Sequence, residues 1–125
     1  MNDVRHPRDM NEAFAQAVNS GSIDALLALY EPDAVLIGQD GSERRGLAAI
    51  REELTALLAL GGKIEAKNRF AVTLGDTALL SADWKLETTT PDGAPLVVGG
   101  RTAEVVRRQP DGRWLYVLDH PSAAT

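Results

Sequence analysis

GLAAIREELTALLALGGKIEAKNRFAVTL, residues 46–74, changes its hydrophobic period in the middle. Before Gly61-Gly62 the apolar residues Leu47, Ile50, Leu54, Leu57 and Leu58 form the stripe of an amphipathic helix. After it, Ile64, Ala66, Asn68, Phe70, Val72 and Leu74 alternate with Lys63, Glu65, Lys67, Arg69, Ala71 and Thr73, which is the pattern of a strand with one face on a core. The spacing predicts a helix from about Gly46 to Leu60, stopped by the glycine pair, and then a long strand.

Upstream the pattern is helical. Met10, Ala13, Phe14, Ala17 and Val18 share one stripe, Asp9 and Glu12 read as a capping box, and Gly21 supplies a left-handed stop. Ser22 caps a second helix bearing Ile23, Leu26, Leu27 and Tyr30, which Pro32 ends. A short strand from Ala34 to Gly38, a turn at Gln39-Asp40-Gly41-Ser42 and a second short strand complete this half.

Downstream there are only strands and turns. One strand carries Leu80, Ala82, Trp84 and Leu86 on one face; the next runs from Pro95 to Arg108, with Gly99-Gly100 as a bulge or bend. The last runs from Arg113 to His120 and ends at Pro121. Helices segregated from an antiparallel meander predict an α+β fold, three helices packed on a curved, mainly antiparallel sheet. No repeat or linker divides residues 1–125, which read as a single domain with a mobile tail over residues 1–8. The last two strands are apolar on both faces. A homodimer through the outer sheet face is therefore expected, using Val105, Trp114, Tyr116 and Leu118.

Composition removes several function classes. The 125 residues contain no cysteine, so there is no disulfide and no thiolate metal site or nucleophile. Thirteen basic against eighteen acidic side chains leave a net charge of -5, the wrong sign for a nucleic-acid partner. No apolar run is long enough to span a membrane and the first residues lack a signal peptide's apolar stretch, so a cytoplasmic chain is expected. With two distant histidines, His6 and His120, no metal site is expected, and no phosphate loop or nucleophile elbow is present.

Several stretches resemble one family in order and spacing: Phe14-Ala-Gln-Ala-Val-Asn-Ser-Gly21, Leu29-Tyr-Glu-Pro-Asp-Ala34, Gly46-Leu-Ala-Ala-Ile-Arg-Glu52, Gly75-Asp76 and Arg107-Arg-Gln-Pro-Asp-Gly-Arg-Trp114, with Asp119 beyond them. From about Asp9 to His120 the chain resembles the nuclear-transport-factor-2-like superfamily, in its SnoaL-like and ketosteroid-isomerase-like branch. The resemblance implies a cone-shaped, cystatin-like fold whose curved sheet encloses a pocket, and members that pair through the sheet. A small-molecule ligand and no cofactor are expected. Activity differs widely among members. The ketosteroid isomerase's carboxylate base would fall at Gly38 and its oxyanion tyrosine at Phe14, and only its acid is kept, as Glu104. Glycine moves no proton and phenylalanine donates no hydrogen bond.

Glu104, Asp119 and Asp40 are the candidate catalytic residues. Asp40 is either a substitute carboxylate near Gly38 or an ordinary turn residue. Glu104 and Asp119 lie on the last two strands. With a four-residue loop between them, Thr102, Glu104 and Val106 share the inner face with Leu115, Val117 and Asp119. With a three-residue loop and a bulge, the two acids face opposite ways. Phe14, Asn68, Trp84, Leu86 and Val117 are the expected pocket walls, while Tyr30 is read as a packing residue with its hydroxyl at the rim. Two functions stay open: cofactor-independent acid–base chemistry of isomerase, cyclase or hydrolase type on a small apolar or cyclic molecule, or a non-catalytic ligand-binding or dimerisation module. An enclosed cavity lined by both Glu104 and Asp119 favours the first; a core filled by Phe14, Trp84 and Leu86 favours the second.

Overall fold

The change of period at Gly61-Gly62 is a change of structure. The computed structural model describes residues 3–124. Before the glycines lie a short 3-10 turn (Pro7–Asp9), α1 (Met10–Ser20), α2 (Ile23–Leu27), β1 (Tyr30–Ile37), β2 (Glu43–Arg45) and α3 (Gly46–Ala59). After them come β3 (Lys63–Leu74), β4 (Thr77–Thr89), β5 (Pro95–Arg108) and β6 (Trp114–Ala124). The six strands form one sheet in the order β2-β1-β6-β5-β4-β3. β1 runs parallel to β6 and every other pair is antiparallel. This is the α+β cone: the helices pack on one face of the sheet, α1 against β3 and α3 against β1. Met10, Leu26, Leu36, Ile50, Leu80 and Val106 fill the space between the layers. No helix among the described residues is long and apolar enough to cross a membrane.

Several local expectations are corrected. Asp9 makes no side-chain capping bond, because the chain enters α1 through the 3-10 turn and Asp9 is already in helical conformation. Ser22 does cap α2, accepting from the Ala25 N–H, but the helix is only five residues long. Tyr30 is therefore in β1, and Pro32 sits inside a strand whose pairing with β6 is irregular between Tyr30 and Val35. Pro121 likewise falls within β6, which continues to Ala124. Gly99 marks close approach to the Trp84 carbonyl rather than a bulge. Residues 3–8, expected to be a mobile tail, are docked. Val4 is buried, its carbonyl accepts the Trp114 N–H at 2.9 Å, and Asn68 Nδ2 donates to the Arg8 carbonyl. Met1 and Asn2 lie outside the described residues.

Two β-bulges reset the strand faces. In β3 the register shifts between Asn68 and Phe70, so Ile64 and Ala66 face the helices while Phe70, Val72 and Leu74 face out and are exposed. In β6 the register shifts at Val117: Val106 pairs with Tyr116, but Val105 pairs with Leu118 and Glu104 with Asp119. Trp114 and Tyr116 consequently point into the core, at 4% and 1% exposure, and are not on the outer face assigned to them. The outward row across the sheet is Val72, Leu79, Val105, Leu118 and Val35.

Candidate functional site

The concave face of the sheet and the helices α1 and α3 enclose a cavity of about 360 Å³. Its walls are apolar: Phe14 from α1, Leu54 and Leu57 from α3, and Ala66, Trp84 and Val98 from the sheet. Gln39, Glu53, Leu60 and Ser122 stand at the mouth. The buried end is polar and acidic, made by Asn11, Thr102, Glu104, Tyr116 and Asp119. No lysine, arginine or histidine lines the cavity among the described residues.

The Val117 bulge builds this end. Between the turn and Val106 the residue numbers of paired partners on β5 and β6 keep a constant sum, which would set Glu104 opposite Leu118 and turn Asp119 outward. The extra residue moves Asp119 directly opposite Glu104, so both carboxyls face the cavity, at 3% and 4% exposure.

Each carboxyl has one oxygen held by the protein. Glu104 Oε1 accepts from Thr102 Oγ1 at 2.8 Å and from Asn11 Nδ2 at 3.3 Å. Asp119 Oδ2 accepts from Tyr30 Oη at 2.5 Å. Tyr116 Oη donates to Asn11 Oδ1 at 2.7 Å, and Thr102 Oγ1 accepts the Ala82 N–H at 2.9 Å. The rings of Tyr30 and Tyr116 are stacked at a tilt with centroids 5.0 Å apart, and Phe14 meets Tyr116 edge-on at 6.3 Å. Burial pushes Glu104 up to about 8, with the Asp119 charge adding to it and the Thr102 and Asn11 bonds opposing it. Burial pushes Asp119 up to about 6 against the Tyr30 bond. Both tyrosines are driven well above their ordinary value by burial and by the neighbouring acids. Burial thus pushes both carboxyls toward holding a proton, and the two titrate as a coupled pair.

The structure brings Glu104, Asp119, Phe14 and Trp84 to the cavity and leaves four other expected residues out of it. Asp40 is an exposed turn residue: its Oδ1 accepts from the Ser42 N–H and hydroxyl, and its charge faces Arg44. Those Ser42 bonds hold its carboxyl below the ordinary aspartate value, the opposite of a poised base. Asn68 keeps the inner-face register opposite Ala82, but on the edge strand it is exposed, and its Nδ2 donates to the Arg8 carbonyl. Leu86 is core packing against the helices and Val117 is the inserted residue of the β6 bulge; neither lines the cavity. Trp84 is a wall only, since its indole N–H donates to the Pro121 carbonyl at 2.7 Å. His120 faces away from the cavity, opposite Ala103.

Tyr30 is corrected from the rim to the buried end. Asn11 and Glu53 are site residues that the sequence reading did not mark, Tyr116 was expected on the outer face, and Thr102 was expected on the inner face only as a neighbour of Glu104. Asn11 carried a signal: with Phe14, Ala15 and Val18 it falls on the apolar stripe of α1, where a polar side chain must find a partner. Glu53 sits beside Gly38, where the resemblance would set the isomerase's base. A Cβ on Gly38 would come within 3.1 Å of both Arg44 Nε and Glu53 Oε1, so their 3.2 Å ion pair occupies the space a side chain there would need.

Among known proteins, the sequence model of the family described as SnoaL-like domain matches residues 11–117. A ketosteroid isomerase-like protein from Erwinia carotovora atroseptica is similar in structure, with a TM-score of 0.82, 19% identity and full coverage of both chains. A nuclear transport factor 2-like superfamily protein from Salmonella enterica gives 0.76 and 20% identity, over 94% of this chain and 89% of that one. A protein provisionally titled an aromatic ring hydroxylase, from Novosphingobium aromaticivorans, gives 0.74 and 29% identity, over 91% and 83%.

Proposed function

The chain belongs to the SnoaL-like family of the nuclear-transport-factor-2-like superfamily, and from that premise we propose that its cavity performs cofactor-independent acid–base chemistry on a small, apolar, cyclic molecule. The observation that carries this reading is the Glu104–Asp119 pair, two buried carboxyls directly opposite each other at the polar end of a cavity with apolar walls. In the proposed reaction the protonated acid donates to a ligand oxygen as negative charge develops there, while the ionised partner accepts a proton from carbon or from water. That assignment supports an isomerase, cyclase or hydrolase type of step. It does not extend to the ketosteroid isomerase's own apparatus, because Gly38 and Phe14 replace its base and tyrosine.

Those two absences favour the second reading, a binding module that holds a ligand without transforming it. Carbon-13 NMR titration of the side-chain carboxyls separates the two. A raised, coupled pair supports the acid–base reading, whereas both carboxyls titrating independently near 4 leave no acid–base pair and hand the site to the binding module. We further propose that the active unit is a homodimer, formed by a second copy against the apolar outer row of Val72, Leu79, Val105 and Leu118.

A further inference from the structure

The directions of the hydrogen bonds at the buried end restrict where the shared proton can be. Thr102 Oγ1 receives the Ala82 N–H, so its own proton is free to go to Glu104 Oε1. Tyr116 Oη donates to Asn11 Oδ1, which turns the Asn11 amide so that its NH2 end meets the same Glu104 oxygen. Glu104 Oε1 thus faces two donors and Asp119 Oδ2 faces the Tyr30 hydroxyl, and a proton on either oxygen would meet a donor head-on. The other oxygen of each carboxyl has no protein partner among the described residues. Neither is a buried orphan, since the only such side-chain atom there is His120 Nδ1 on the far face. Glu104 Oε2 and Asp119 Oδ1 are open to the cavity.

Resting on the acid–base reading above, we infer that Asn11, locked by Tyr116, is a positioning residue that keeps the proton of the pair on a cavity-facing oxygen. The pocket then offers one donor and one acceptor side by side, and it selects neutral ligands that carry an acceptor and a donor on neighbouring atoms, such as a carboxamide, a lactam or the enol of a dicarbonyl. An anion finds three acids and no cation along the walls, with Glu53 paired to Arg44 at the mouth. An ordinary ketone satisfies only the donor and leaves the acceptor unpaired.

The test uses the full chain. Glu104 is followed by carbon-13 NMR titration in the wild type, Asn11→Ala, Tyr116→Phe and the double variant. Asn11→Ala should raise the Glu104 midpoint by about one pH unit, because a donor that favours the ionised form is lost. Tyr116→Phe keeps the ring and should raise it in the same direction by releasing the amide, and the double variant should move no further than Asn11→Ala alone. A wild-type midpoint that is raised but unmoved in both single variants overturns this inference and leaves the acid–base reading standing. A shift in Asn11→Ala without one in Tyr116→Phe overturns the lock. A wild-type midpoint near 4 sinks the acid–base reading itself. Ligand selection is read by calorimetry at neutral pH with naphthamide and naphthoate, which share one apolar skeleton. The amide should bind about tenfold tighter or better; equal or reversed affinities, or no saturable binding of the amide, overturn the ligand class.

Discussion

Glu104 is a carboxylic acid kept mostly from water, and the protein's stability should register that. In the unfolded chain it ionises near 4.5, while in the fold it keeps its proton to about 8. Asp119 moves in the same direction, from 3.8 to about 6. Across those intervals the folded state binds more protons than the unfolded one, so stability falls as pH rises. The contribution of the pair is complete below the unfolded values and is lost as pH climbs through about 6 and about 8. Glu31, lowered by its bond to Arg107, works in the opposite sense and only at the acid end. Thermal melting should therefore show a higher midpoint at about pH 5 than at about pH 9, with Glu104→Gln flattening the slope. A midpoint that rises over that range, or a slope that Glu104→Gln leaves intact, would contradict it. Tyr30→Phe removes the only protein donor to Asp119 among the described residues while keeping the ring against Tyr116. The expected cost is about 1–3 kcal/mol in urea denaturation, with a further upward shift of the Asp119 titration.

At the scale of elements, a single inserted residue brings the two acids together. β6 without its extra residue at Val117 would turn Asp119 to the outer face and leave Glu104 opposite Leu118. The join between α3 and β3 is as constrained. Gly62 has φ +84, and a Cβ there would run into the Glu87 carbonyl and the Thr88 side chain on β4. Gly62→Ala should cost about 2–3 kcal/mol, from backbone strain together with the clash. Gly41→Ala, at φ +82 but with open space around it, should cost about 1 kcal/mol. Equal costs in chemical denaturation would mean that the β4 contact contributes nothing.

For the whole molecule, the outer sheet face is the surface that lacks a cover. Phe70 at 40%, Val72 at 60%, Leu79 at 48% and Leu118 at 49% exposure form one apolar area, while Lys63, Glu65, Lys67, Asp83, Lys85 and Glu87 occupy the other end of the same face. A charged end beside an apolar one suits a second copy docking at a defined place better than it suits indiscriminate association. Sedimentation at micromolar concentration should give a dimer, and Val72→Lys with Leu118→Lys should give a monomer that keeps its carboxyl titrations. A wild-type monomer at that concentration would remove the dimer from the account.

The sequence by itself determined the order of elements, the α+β class and the family, because hydrophobic period and turn chemistry are local and survive in a linear reading. The shift from helical to alternating pattern at Gly61-Gly62 is visible without any coordinates, and so is Glu104 as an acid on an otherwise apolar strand face. The tertiary structure alone decided which faces meet. A bulge adds one residue and reverses the parity of everything beyond it, and neither the stretch around Arg69 nor that around Val117 carries a glycine or proline to announce it. That is why Val117 was expected in the cavity and Trp114 and Tyr116 on the surface. Asn68 and Leu86 keep the inner parity that the alternation gives them, but Asn68 lies on the edge strand and Leu86 is packed into the core. The sequence reading joined Glu104 to Asp119 only through a register that does not occur. Tyr30 and Asn11 reach the pair from 89 and 93 residues away in the chain. Such contacts exist only once β1 has paired parallel to β6 and α1 has packed across the sheet, and no local pattern encodes them.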